Sequence, residues 1–237
     1  MHRRNQGSQK QNPPFEYSVE IGFDVISDLH LLRGDVFDWE GKATSLYCVV
    51  AGNISNDLRM IHQVLWHLAK FYQGVFYIGG TLEYSGITNL SGRTHDLEKI
   101  SKNIRNVAYL HHHVVIIDGV AILGATGWYE NSELMESEAD CMYLSRSIEK
   151  LQLHQDVKKI IVVTNAVPTF DLFFGESPDI DFPMSICLVK DSEQKITHWA
   201  YGSHDKNADI TIDRVNYVNN SAYGTSPYWP KRISITI

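Results

Sequence analysis

Residues 21–30 read Ile-Gly-Phe-Asp-Val-Ile-Ser-Asp-Leu-His, and this stretch decides the fold. The apolar run up to Ile26 has the pattern of a buried strand. It stops at Ser27. Asp28 and His30 follow, a carboxylate and an imidazole two residues apart where a strand meets its loop. Farther out, Leu46–Ala51 and Val75–Ile78 are short apolar runs, each closed by a polar or glycine-rich loop. Between them Ile61, Val64, Leu65, Leu68 and Tyr72 recur at helical spacing across Asn56–Tyr72, and Asn56 or Asp57 stands where a cap is needed. Strand, helix and strand in that order make a β-α-β unit on a parallel sheet. A second helix is expected from near Thr94, with Leu97 and Ile100 on one face. Close-set strands follow at Asn106–Leu110, His113–Ile117 and Val120–Gly124, with Asp118-Gly119 as a hairpin turn. A helix over Glu133–His154 then leads to strands at Lys159–Thr164, Ser185–Val189 and Thr197–Tyr201, and to further short strands at the end.

Composition excludes several function classes. With 237 residues, 43% of them hydrophobic, the chain has enough apolar mass for one large core. A net charge of -7 argues against a general nucleic-acid surface, which is ordinarily basic. Cys48, Cys141 and Cys187 are odd in number, widely spaced and fit no zinc pattern, so a reducing, cytoplasmic setting is expected. No run of apolar residues is long enough to span a membrane. Residues 1–14 are polar and read as a disordered arm ahead of a single domain over 15–237, with no apolar core of a secretory leader.

Further blocks stand in a fixed order after Ser27-Asp28-Leu29-His30. They are AGNIS at 51–55, GGTLEY at 79–84, VVTNAVP at 162–168, HWAYGSHD at 198–205 and NNSAYG at 219–224. In order and spacing they resemble the blocks of the calcineurin-like metallophosphoesterase family: D-x-H, G-D, G-N-H-E, a strand ending in His before a proline, G-H-x-H and a closing N-P-x-G-Y. The stretch VVIIDGVAILGATGWY at 114–129 also resembles the family's segment between its third and fourth blocks. The resemblance runs from about residue 20 to 225. It implies an α/β fold, a four-layer α-β-β-α sandwich of two mixed β-sheets flanked by helices.

The resemblance also says which positions should hold metal, and most of them carry residues unsuited to it. A two-metal phosphoesterase holds its ions about 3.5–4 Å apart and generates hydroxide between them. The bridging ligand has to be an anion, and its position is held by Asn53, whose amide oxygen carries no formal charge. The second metal of the family takes an amide oxygen and two imidazoles. Its positions are held by Thr81, Asn165 and Ser203, a poor cage for a transition metal. Leu82 stands where the family has the His that assists the leaving group, so no catalytic residue is expected. The first-site positions keep Asp28 and His30, with Asn53 and with Asp205 in place of the final His. Two carboxylates, an imidazole and an amide could hold one Mn2+ or Mg2+ weakly. Alternatively Asp28 and His30 only hydrogen-bond to loop backbone, and His204 is a further alternative as a shifted ligand.

Other residues have bland readings. His111-His112-His113 should point to alternate faces at a loop-strand junction and stay at the surface. His62 and His67 lie off the apolar stripe of their helix and should be solvated. Glu83 is expected to brace its loop. Trp128, Trp199 and Tyr201 are expected to pack in the core or at a rim. The segment SAYGTSPYWPKR, with Tyr223, Tyr228 and Trp229, is either a strap over the sheet or an exposed aromatic patch. The expected function is therefore that of a non-catalytic protein acting through protein binding, as part of an assembly or as a homo-oligomer. It would have no cofactor beyond a weakly bound Mn2+ or Mg2+. The alternative is a metal-dependent phosphoesterase working with a single or relocated metal site.

Overall fold

The computed structural model describes residues 18–128, 134–173, 194–224 and 226–237. The expected arm at 1–14 and the expected strand Ser185–Val189 lie outside them. The first sheet contains β1 (Glu20–Ile26), β2 (Tyr47–Val50), β3 (Gly74–Tyr77) and β4 (Val107–Tyr109). They run parallel, and β11 (Lys231–Thr236) closes the edge antiparallel to β1. The second sheet holds β5 (His113–Ile117), β6 (Val120–Ala125), β7 (Lys159–Thr164), β8 (Ile196–Tyr201), β9 (Ala208–Ile212) and β10 (Val215–Asn219) in the order β5-β6-β7-β8-β10-β9. Its four central strands are parallel and both edge strands antiparallel. Asp118 and Gly119, both at positive φ, make the tight turn between β5 and β6.

Strand alternation builds the layers. Along β1 and β2, Phe23, Val25 and Val49 face the second sheet and meet Ile122, Ile161, Val163 and Val218. Ile26, Cys48 and Val50 face outward under the helices α1 (Leu58–Leu68) and α2 (Leu90–Lys102). On the far side, Leu123, Ile160 and Val162 pack under Leu144, Ile148 and Leu151 of the helix α3 (Leu134–Leu153). The result is the expected α-β-β-α sandwich. In α1 the buried residues are Met60, Ile61, Val64, Leu65 and Leu68, and Asp57 is the cap, accepting from the N–H of Arg59. The helix α2 begins four residues before the expected Thr94, because the Asn89 side chain accepts from the N–H of Gly92 and sets the start there.

A buried polar chain crosses the helix side of the first sheet. Trp39 Nε1 donates to the Tyr72 hydroxyl, which donates to Asp24, and Asp24 also accepts from the backbone N–H of Thr44. His67 corrects the expectation of a solvated side chain. It sits edge-on to Phe37 and Phe71, and its Nε2 accepts the N–H of Trp39, a loop donor with no helical or strand partner. His62 is exposed as expected.

Candidate functional site

The parallel strands of both sheets end at the same side of the sandwich, and their loops meet there, where open α/β sheets place ligands. The backbone fastens the loops together. Asp28 N–H donates to Gly52 O, His30 N–H to Asn53 O, Leu31 N–H to Ile54 O and Gly202 N–H to Asn165 O, at 2.8–3.1 Å. Between them lies a cleft of about 320 Å³ lined by Asp28, His30, Asn53, Thr81, Ser203 and Asp205, together with His204, Ser221 and Tyr223. Six positions picked from the sequence are thus brought to one place. Asn165 lies buried beside them. Leu82 enters through its backbone, not among the lining side chains.

What these residues do to one another is specific. The N–H of Leu82 donates to Asn53 Oδ1 at 2.9 Å, which fixes the way that amide faces. Asn53 Nδ2 therefore donates to Asp28 Oδ1 at 2.8 Å and to Ser203 Oγ at 3.1 Å. Ser203 Oγ donates to Asn165 Oδ1 at 2.8 Å, an oxygen that also accepts the N–H of Thr81. Asn165 Nδ2 is spent on Ala51 O at 2.8 Å. A metal cage needs lone pairs converging on one point. Here a pair of N–H donors stands among the acceptors, and the set pairs with itself. These residues do not fit a two-metal cluster.

Asp28 is the exception. It is 2% exposed, and burial pushes its carboxyl up, opposed by hydrogen bonds from Asn53 and the N–H of Ser203. The neighbouring Ser27 hydroxyl favours the ionised form as well, yet neither Ser27 Oγ nor Asp28 Oδ2 makes a hydrogen bond of normal geometry. His30 Nε2 stands 3.9 Å from Asp28 Oδ1, and the His30 ring meets Tyr223 edge-on at 5.5 Å. Asp205 is largely exposed and lies 3.7 Å from His204 Nδ1, which accepts the N–H of Lys206.

The floor is rigid. Glu83 is fully buried, and its two oxygens accept the N–H groups of Asn53, Ile54 and Gly80 and the hydroxyl of Tyr77. It braces the second and third loops together, as expected, and burial pushes its carboxyl up to about 7. Asp28, His30, Asn53 and Ser203 all take left-handed backbone with φ between 49° and 58°, a conformation that costs a non-glycine residue about 1–2 kcal/mol.

The aromatic residues resolve into packing and exposure. Trp128 stacks edge-on with Tyr84 at 4.8 Å, and Trp199 Nε1 donates to Thr164 Oγ1. Tyr228 ties the carboxyl-terminal segment down, its hydroxyl donating to Asn220 O at 2.6 Å and its ring 6.0 Å from Trp39. Tyr223 and Trp229 stay 63% and 52% exposed. The segment is strap and patch at once. The histidine tract lies at the surface as expected, with His112 and His113 exposed, but it does not alternate. His112 takes φ 55°, so His111 and His112 do not alternate but stack, with ring centroids 4.2 Å apart.

No family model matches the sequence, and no curated protein resembles it in sequence. Solved structures do resemble the fold. A phosphopantetheinyl hydrolase from Mycobacterium tuberculosis superposes with a TM-score of 0.64 at 14% identity, over 90% of this chain and 96% of that one. GAP50, described as the anchor in the inner membrane complex of Plasmodium, gives a TM-score of 0.53 at 11% identity over 86% and 72%. The fold is the calcineurin-like metallophosphoesterase fold. Among the described residues no helix is long and apolar enough to cross a membrane.

Proposed function

We propose that this chain is a non-catalytic protein of the metallophosphoesterase fold that acts by binding protein, as a partner in an assembly or as a homo-oligomer. The observation that carries the proposal is the Asn53 amide, whose NH2 group donates to Asp28 and Ser203 at the point where a bridging anion would be needed. Leu82 supplies no proton donor. The exposed Tyr223, which lines the cleft, and Trp229, farther along the same segment, offer the residue types that anchor protein interfaces. An anchor protein of the same fold in Plasmodium is a precedent for such use. The test has two arms. Hydrolysis of generic phosphomonoesters and phosphodiesters with Mn2+ should not exceed a metal-only blank. Light scattering of the purified chain, and of Tyr223→Ala/Trp229→Ala, should show association that the double variant loses. Turnover abolished by Asp28→Ala would overturn the proposal.

A second reading rests on one observation, the buried Asp28 Oδ2 with no hydrogen-bond partner beside His30 and within reach of a cleft that also holds Asp205. Those three side chains would hold a single Mn2+ or Mg2+, which polarises a phosphoryl oxygen when bound. Under that reading the chain is a phosphoester hydrolase; the mycobacterial structure it resembles in fold is described as a phosphopantetheinyl hydrolase. Elemental analysis of an Mn2+-loaded sample separates the two, since a hydrolase of this kind retains one ion that Asp28→Ala releases.

A further inference from the structure

Apart from the cleft, three metal-ligating side chains converge where the loop between β4 and β5 meets α3. His112 Nε2 lies 2.7 Å from Asp140 Oδ1, and His111 stacks on the other face of His112 from Tyr143, whose ring is 4.6 Å away. One ligand atom from each of His111, His112 and Asp140 lies within 4.8 Å of the others. We propose that His111, His112 and Asp140 form a binding site for a divalent transition metal, with Zn2+ the ion that fits best.

Four observations support it. Tetrahedral zinc with bonds of about 2.0–2.1 Å sets its ligand atoms roughly 3.3 Å apart, and here His112 Nε2 and Asp140 Oδ1 stand 2.7 Å apart with all three ligand atoms within 4.8 Å of one another. His111 Nδ1 is buried with no hydrogen-bond partner. If the His112–Asp140 pair only ties the loop to the helix, that nitrogen stays orphaned. Asp140 is 1% exposed, and its second oxygen accepts the N–H of Gly127 at 2.8 Å, the outer contact that aims a ligating carboxylate. The histidines are not on a loose tail. His111 bridges to Gly124 on β6, and His112 N–H donates to the carbonyl of the same residue.

The ligand count is that of an open site. Three protein ligands leave a fourth position, and His111, His112 and Asp140 themselves line a cavity of about 190 Å³ together with Tyr84, Thr94, Trp128 and Glu136. Water, Glu136 or a partner's side chain can take it. The two adjacent histidines serve one ion only because His112 sits at positive φ, which turns both rings to the same side. None of the three residues lines the cleft, so this site stands or falls independently of the proposed function.

Cobalt(II) is the probe, because bound in a low-coordinate nitrogen and oxygen site it gives visible absorption far stronger, and at longer wavelength, than that of the hydrated ion. Titration of the full chain at neutral pH should saturate at one equivalent, with Zn2+ displacing the signal. His112→Ala and Asp140→Asn should lose it, while Asp28→Ala should keep it. Asp140→Asn retains an oxygen for Gly127 N–H, and circular dichroism checks that each variant is folded. Anomalous scattering from a zinc-soaked crystal of the unaltered chain needs no variant, and its peak should lie among His111, His112 and Asp140. Absence of a cobalt signal at millimolar ion, a signal that survives in both folded variants or disappears with Asp28→Ala, or a peak elsewhere or nowhere would each overturn the site.

Discussion

Replacing Glu83 with Gln isolates the energetics of the brace beneath the cleft. One carboxylate oxygen accepts two backbone N–H groups, of Asn53 and Gly80, and the other accepts the N–H of Ile54 and the hydroxyl of Tyr77. The amide NH2 of Gln will replace the second oxygen, because Tyr77 can turn its hydroxyl to accept while the N–H of Ile54 cannot. That leaves one buried donor unpaired, at about 1–3 kcal/mol. The opposing term depends on pH. The folded carboxyl is pushed from 4.5 up to about 7, so the folded state keeps its proton where the unfolded chain has released it. Its stabilising contribution is full below pH 4.5 and is lost as pH rises through about 7, a change of roughly 3 kcal/mol at 1.36 kcal/mol per pH unit. Gln has no such dependence. Urea unfolding across the range from pH 4.5 to 8 should show the variant less stable than the natural chain in acid and level with it or ahead above neutrality. Contributions of other groups, the raised Asp28 among them, are common to both chains and cancel in the difference. If the two stability curves run parallel, the carboxyl is ionised throughout and the account of the brace is wrong.

Two further outcomes follow from packing. A Cβ at Gly80 would stand 2.5 Å from Asn165 Cγ and against Asn53 Oδ1, so Gly80→Ala should lower the urea midpoint by the equivalent of about 1–3 kcal/mol. Combination with Asn165→Ala should cost less than the sum of the single changes, because the removed side chain makes the room. Tyr228→Ala should cost roughly 3 kcal/mol in thermal or chemical unfolding, whereas Trp229→Ala, half exposed, should stay within about 0.5 kcal/mol. Equal losses would show that the segment is not anchored by Tyr228.

Ordered motifs at strand ends carried most of what the sequence disclosed. Apolar runs placed β1 to β8 within a residue of their ends, and the loops after the strands delivered Asp28, Asn53, Thr81, Ser203 and Asp205 to a single cleft. What stayed hidden depended on contacts far apart in the chain. The tie of Trp39, Tyr72, Asp24 and Thr44 joins four places that no local pattern links. His67 looks solvated on a helical wheel, and only the loop N–H of Trp39 gives it a structural task. His111 and His112 follow the alternation rule until one positive φ breaks it, and nothing in three successive histidines signals that torsion. The start of α2 was legible in principle, since Asn89 stands three residues before Gly92, but the weakly apolar first turn concealed it.

The left-handed residues of the cleft also limit how this chain can change over time. Asparagine, aspartate and glycine settle into that torsion most readily, whereas a β-branched side chain meets the backbone. Positions 28, 30, 53 and 203 are thus open to a short alphabet of replacements whatever the selection on chemistry. Asn at 53 belongs to that alphabet and Val or Ile does not. An exchange of Asn for Asp at such a strand end would therefore leave the architecture intact while changing its ionic character.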